Sequence, residues 1–186
     1  DGSVVTWGDS NSGGDSSAVS DQLSGVTNIF ATEKAFAALK EDGSVVTWGD
    51  SSFGGDSSEV SDQLFGVTNI FATKDPAYDP YVPIFGGAFA ALKEDGSVVA
   101  WGSNSSGGDV NISSGFFGDS ISQQLSSGVV NIFSNENAFA ALKDDGSVIS
   151  WGNSRHGGRN SYYYYYYQNN IQVGQRYDGY REVLLN

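Results

Sequence analysis

The chain has 186 residues, no cysteine, no methionine and a formal charge of −13. That length suits one domain. The missing thiols exclude a disulfide scaffold and thiol catalysis, and the excess of acid disfavours nucleic acid and anionic lipid as partners. The charge is divided: residues 1–154 carry 20 acidic side chains against five lysines, whereas 155–186 carry all four arginines against Asp178 and Glu182. A cationic tail beside an acidic body suits binding to another copy of the same body. No apolar run reaches the roughly 18 residues that span a bilayer, so membrane insertion is not expected. Abundant Gly, Ser, Asn and Asp with only 17% charged residues suit an extracellular or cell-surface protein.

In chain order, the first element is Ser3-Val4-Val5-Thr6-Trp7, a β-branched and aromatic run between glycines that reads as a strand. Its octapeptide, starting at Asp1, returns at Asp42, Asp95 and Asp145, with spacings of 41, 53 and 50 residues. The turn-forming loop Asp9–Asp15 follows, and then Ser16–Leu23, which reads as two turns of helix with Val19 and Leu23 at i and i+4. The same pair returns as Val60 and Leu64, and as Ile121 and Leu125. Val26–Ala31 and Ala35–Lys40 read as two more strands, the second joined through Asp42-Gly43 to Ser44–Trp48 as a hairpin. Both hairpin strands are nearly all apolar, so both faces are expected to be covered by stacked sheets.

The expected fold is therefore mainly β with short helices: three to four tandem repeats in an open or partial propeller, or a solenoid-like stack. The units are 1–41, 42–94, 95–144 and a partial 145–158, followed by a non-repeat arm, 159–186. The longer spacings come from loop insertions around 74–87 and 110–119, and Tyr78, Tyr81, Phe85, Phe116 and Phe117 there suggest an interface.

From Val26 to Gly55, the pattern Val-x-x-Ile-Phe-Ala, Ala-Phe-Ala-Ala-Leu, Asp-Gly-Ser-Val-Val-x-Trp-Gly and Gly-Gly resembles the repeat of the regulator of chromosome condensation family. The match runs to about residue 158 and implies propeller-type blades of antiparallel strands. The chain departs from that family in its shorter unit and in Gly-Asp-Ser-Ser where the family has Gln-Leu-Gly. It has three complete bodies, where a closed propeller typically needs about four to eight. The family's nucleotide-exchange activity belongs to residues on particular loops that are not matched here, and it is not carried over.

Each hairpin strand of the octapeptide type has a preceding Ala-rich partner except Ser3–Trp7. An unpaired apolar strand invites another. The arm opens with Tyr162, Tyr163, Tyr164, Tyr165, Tyr166 and Tyr167, a run of high β propensity. Ser3, Val4, Val5, Thr6, Trp7 and the six tyrosines are the expected subunit interface.

Other sites weigh less. Asp9, Asn11, Asp15, Asp50 and Asp56 place oxygens at calcium-loop-like positions, but no closing Glu follows, and turns with capped helices explain them better. His156 is the only histidine, so neither a zinc site nor a nucleophile–base pair is expected. Trp7, Trp48, Trp101 and Trp151 hold one repeat position and read as core. Asn104 and Asn111 fit the N-glycosylation pattern. The expectation is a non-catalytic structural protein without cofactor, polymerising with other copies of itself as a helical filament or surface fibre. The other expectation is a protein- or carbohydrate-binding module that uses the insertion loops.

Overall fold

The computed structural model describes residues 1–74, 86–111 and 120–158 with their side chains, and the backbone of 162–168, 171–178 and 181–183. Three tandem three-stranded antiparallel sheets form the body. The first comprises β1 (Val26–Ala31), β2 (Ala35–Lys40) and β3 (Val45–Gly49); the second, β4 (Val67–Ala72), β5 (Ala88–Lys93) and β6 (Val98–Gly102); the third, β7 (Val129–Ser134), β8 (Ala138–Lys143) and β9 (Val148–Gly152). Strand order is sequential in each, and no sheet closes on itself among the described residues. Each sheet takes its first two strands from one sequence unit and its third from the next octapeptide.

Local chemistry fixes this meander. In the β2–β3 hairpin, Asp42 Oδ1 accepts from the Ser44 N–H at 3.0 Å and from its hydroxyl at 2.6 Å. Gly43, at φ 76°, lets the turn close, its N–H donating to Lys40 O. Asp95–Ser97 and Asp145–Ser147 repeat the backbone bond. The first strand carries a bulge between Val26 and Asn28. There the Thr27 hydroxyl donates to Leu39 O, as Thr68 does to Leu92 O. The repeated Val-Thr-Asn-Ile motif is thus a bulge with its own side-chain bond.

The sheets pack face to face around alanine-rich middle strands, and Ala35, Ala37 and Ala38 are fully buried. One core lies between the residue 1–25 segment and the first sheet, with Leu23, Val46 and Trp48. A second joins the first and second sheets through Ala37, Leu39, Leu64, Ile70, Val99 and Trp101. A third joins the second and third sheets through Ala90, Val98, Leu125, Ile132, Phe139 and Trp151. Burying an indole removes roughly 150–250 Å² from water, a gain of about 4–6 kcal/mol at about 25 cal/mol per Å².

Two expectations need correction. Ser16–Leu23 is not two turns of helix: only Ser17–Val19 forms a 3-10 turn, and Ser58–Gln63 is also 3-10. Serine and aspartate compete for the backbone there, as when Asp15 Oδ1 accepts from the Ser17 N–H. An α-helix, α1 (Ile121–Gln124), forms in unit three, where Ser120 and Gln123 make a reciprocal capping box. The i, i+4 apolar pairs still face inward, and Leu23, Leu64 and Leu125 are buried.

Ser3–Trp7 is not a strand of any sheet, because no ladder partner exists for it among the described residues. Its segment is tied instead by Gly25 N to Asp1 O and Val26 N to Gly2 O.

The arm, 159–186, carries none of the repeat motifs but holds strands of its own. β10 (Tyr162–Gln168), β11 (Ile171–Asp178) and β12 (Arg181–Val183) form another antiparallel meander in sequential order. Tyr78, Tyr81, Phe85, Phe116 and Phe117 lie outside the described residues.

Candidate functional site

The geometry that recurs is the joint between successive units. The third-strand tryptophan of each sheet reaches back to the glycine loop of the preceding unit. Trp48 Nε1 donates to Gly13 O, Trp101 Nε1 to Gly54 O and Trp151 Nε1 to Gly107 O, each at 3.0 Å. Each indole stacks on a second-strand phenylalanine of its own sheet: Phe36–Trp48 at 5.3 Å, Phe89–Trp101 at 5.3 Å and Phe139–Trp151 at 5.2 Å between centroids.

The loop glycine takes positive φ after a three-residue 3-10 turn, and its carbonyl accepts the indole N–H of the next unit. Its open side lies against the phenylalanine ring: a Cβ on Gly13 or Gly54 would sit 2.6 Å from Phe36 or Phe89. A second tie runs from each first strand to the turn before it, Val67 N to Gly43 O and Val129 N to Gly96 O, both 3.0 Å.

At the N-terminal end, Ser3–Trp7 holds the third-strand position relative to the first sheet. Thr6 Oγ1 lies 2.9 Å from Ser16 Oγ, as Thr47 Oγ1 lies 3.0 Å from Ser57 Oγ. Val4 packs against the first core. The opposite face is bare: Trp7 is 82% exposed, whereas Trp48, Trp101 and Trp151 are 5%, 3% and 1% exposed. Val5 and Ile29 are exposed as well.

The C-terminal end of the third sheet shows the converse face. Phe133 and Val148 are 57% and 64% exposed, while their repeat equivalents Phe30 and Val45 pack into the core between the first two sheets. A Cβ built on Gly157 or Gly146 meets no atom of the described residues within 4 Å. Sequence reasoning missed this half of the surface. Its signal was present in the repeat phase, since Phe133 and Val148 occupy core positions in the last sheet before the arm.

Ser3–Trp7 and Tyr162–Tyr167 are not brought into one sheet. The six tyrosines lie on β10, which among the described residues pairs on one side only, with β11.

The calcium-loop residues are engaged in their own turns. Asp9 Oδ1 accepts from the Asn11 N–H and Asp50 Oδ1 from the Ser52 N–H, each capping a 3-10 turn. Asp15 and Asp56 accept from Ser17 and Ser58. Those backbone bonds hold the Asp15 and Asp56 carboxyls below the ordinary range. Among the described residues no three His, Cys, Asp or Glu side chains gather as a metal site. His156 sits on the last loop with Nε2 3.6 Å from Glu136. The Asn135 side chain donates to its carbonyl at 2.6 Å.

Asn104 and Asn111 are both exposed. They line a polar cleft of about 440 Å³ between the second and third loops, together with Asp56, Glu59, Gln63 and Asp109. The serine two residues after Asn104 is buried, and its hydroxyl donates to Gly86 O and Asn137 Oδ1 at 2.9 Å each.

No protein-family model matches the chain, and a search of curated proteins finds no significant match.

Proposed function

We propose that this chain is a non-catalytic structural protein, the subunit of an extracellular filament or surface fibre that assembles by strand complementation. The observation that carries the reading is Ser3–Trp7. It holds a third-strand position, has no ladder partner among the described residues and presents Val5 and Trp7 to solvent. A strand with open backbone groups and a bare apolar face is a template for another strand. The edge of β10, seven residues long and without a second partner among the described residues, is the complementary element. Repeated head to tail, such a contact makes an open helical polymer. N-linked glycans at Asn104 and Asn111 belong to the same reading, since both side chains are exposed.

Negative-stain electron microscopy of the purified chain tests it. Filaments of uniform width are expected; discrete monomers across concentration, pH and salt would refute the reading.

A second reading is a protein- or carbohydrate-binding module, in keeping with the resemblance to propeller repeats. The polar cleft favours it, because Asp56, Glu59, Asn104 and Asp109 converge there beside the third-unit insertion. Under that reading the particle stays soluble, and ligand capture is lost when residues 110–119 are trimmed.

A further inference from the structure

We infer that the two ends of the stack are the two halves of one joint: the C-terminal face of one copy receives Val5 and Trp7 of the next. The inference rests on the self-assembly proposed above and names the partner surface, which Ser3–Trp7 alone does not. The template is the joint the chain makes within itself. Between the first and second sheets, Val99 and Trp101 of the third strand enter one core with Phe30 and Val45 of the sheet before, and Trp101 donates to Gly54 O.

Val5 and Trp7 hold the positions of Val99 and Trp101, and both are exposed. Phe133 and Val148 hold those of Phe30 and Val45, and both are exposed. Gly157 holds that of Gly54 with the same positive φ, 93° against 92°, and no ring against it. Among the described residues, one end has no acceptor for its indole N–H, and the other has a loop glycine carbonyl that no indole reaches.

A second copy is the occupant because it carries what the C-terminal face lacks. The chain's own arm does not. Residues 158–186 contain no tryptophan, and the segment before β10 contains no leucine to match the buried Leu64 or Leu125. That segment is also short: β10 begins five residues after Gly157, whereas β4 begins 13 residues after Gly54. β10 therefore lies close in sequence to the receiving loop. One neighbour then supplies both the edge that pairs with Ser3–Trp7 and the face that buries Trp7.

The joint is directional, so the fibre is polar. Trp7 is the one exposed indole of four, which makes its burial readable. On assembly of the full chain, the acrylamide-quenchable part of the tryptophan emission is expected to be lost and the emission to shift to the blue. Trp7→Phe removes that change.

Two blocked variants then test the pairing. Trp7→Lys closes the donor end and Val148→Lys the receiving end. Both sites are exposed in the single chain, so unchanged circular dichroism and thermal midpoint are expected for each. Alone, each stays monomeric; mixed, they form one-to-one dimers by sedimentation.

The joint is refuted, with self-assembly left standing, if wild-type filaments keep Trp7 quenchable or if either blocked variant still polymerises. A wild-type chain that stays monomeric, with Val148 protected by its own arm, refutes the joint and the assembly reading together.

Discussion

At the scale of single residues, the joint depends on positions where a side chain cannot be tolerated. Gly54 combines φ 92° with a phenylalanine ring against its open face. Gly54→Ala therefore incurs the left-handed backbone cost of about 1–2 kcal/mol and an overpacking cost of about 1–3 kcal/mol. Gly157 has the same φ but empty space beside it, so Gly157→Ala is expected to cost only the backbone part. Urea unfolding of both variants checks the difference; equal losses would mean that the ring contact does not matter.

The hairpin aspartates give a pH signature. Asp42, Asp95 and Asp145 are held below the ordinary carboxylate range, first by the side-chain hydroxyls of Ser44, Ser97 and Ser147 and then by their backbone N–H groups. Lys40, Lys93 and Lys143 add a smaller attraction. A carboxyl lowered on folding stabilises the fold fully above its unfolded value, and that contribution is lost as pH falls through the folded one. The thermal midpoint is expected to hold from pH 7 to about 5 and to drop below about 4, near the unperturbed aspartate value. A Ser44→Ala, Ser97→Ala, Ser147→Ala variant should drop less steeply across that acid window. Parallel profiles for the two proteins would show that these turns carry no acid sensitivity.

At the scale of elements, the three sheets are alike in sequence and unlike in cover. The second has cores on both faces. The first is left open at Ile29 and the third at Phe133 and Val148. In a stack whose stability is built from neighbour contacts, amide exchange is expected to be slowest in β4–β6 and faster in β7 and β9. Exchange measured by mass spectrometry decides it, and third-sheet amides as slow as those of β5 would contradict the packing described.

The strands of these sheets were legible in the sequence because motif and period agree. Val26–Ala31 and Ala35–Lys40 were read with their observed limits, and the Asp-Gly hairpins follow from turn chemistry. The helices were overread because Val19 and Leu23 give a helical spacing that Ser16, Ser17 and Ser20 do not support locally. Only Ser120 and Gln123 add the caps that complete an α-turn. The arm's meander was hidden because six identical residues carry no alternation from which pairing can be read.

At the scale of the molecule, the exposed N-terminal segment was visible as an octapeptide without a preceding partner. The exposed face of the third sheet was not, because Phe133 and Val148 look like core until the stack is seen to stop covering them. The stack has no closed sheet among its described residues, so its ends differ chemically: one offers an indole, the other a carbonyl. In all three internal joints the acceptor is a main-chain oxygen. Amino-acid substitution does not delete that group. The tips of the loops that present it already differ, Asn11-Ser12, Ser52-Phe53, Ser105-Ser106 and Arg155-His156. The side chains of these loop tips thus vary from unit to unit, while the hydrogen bond between units stays written in the backbone.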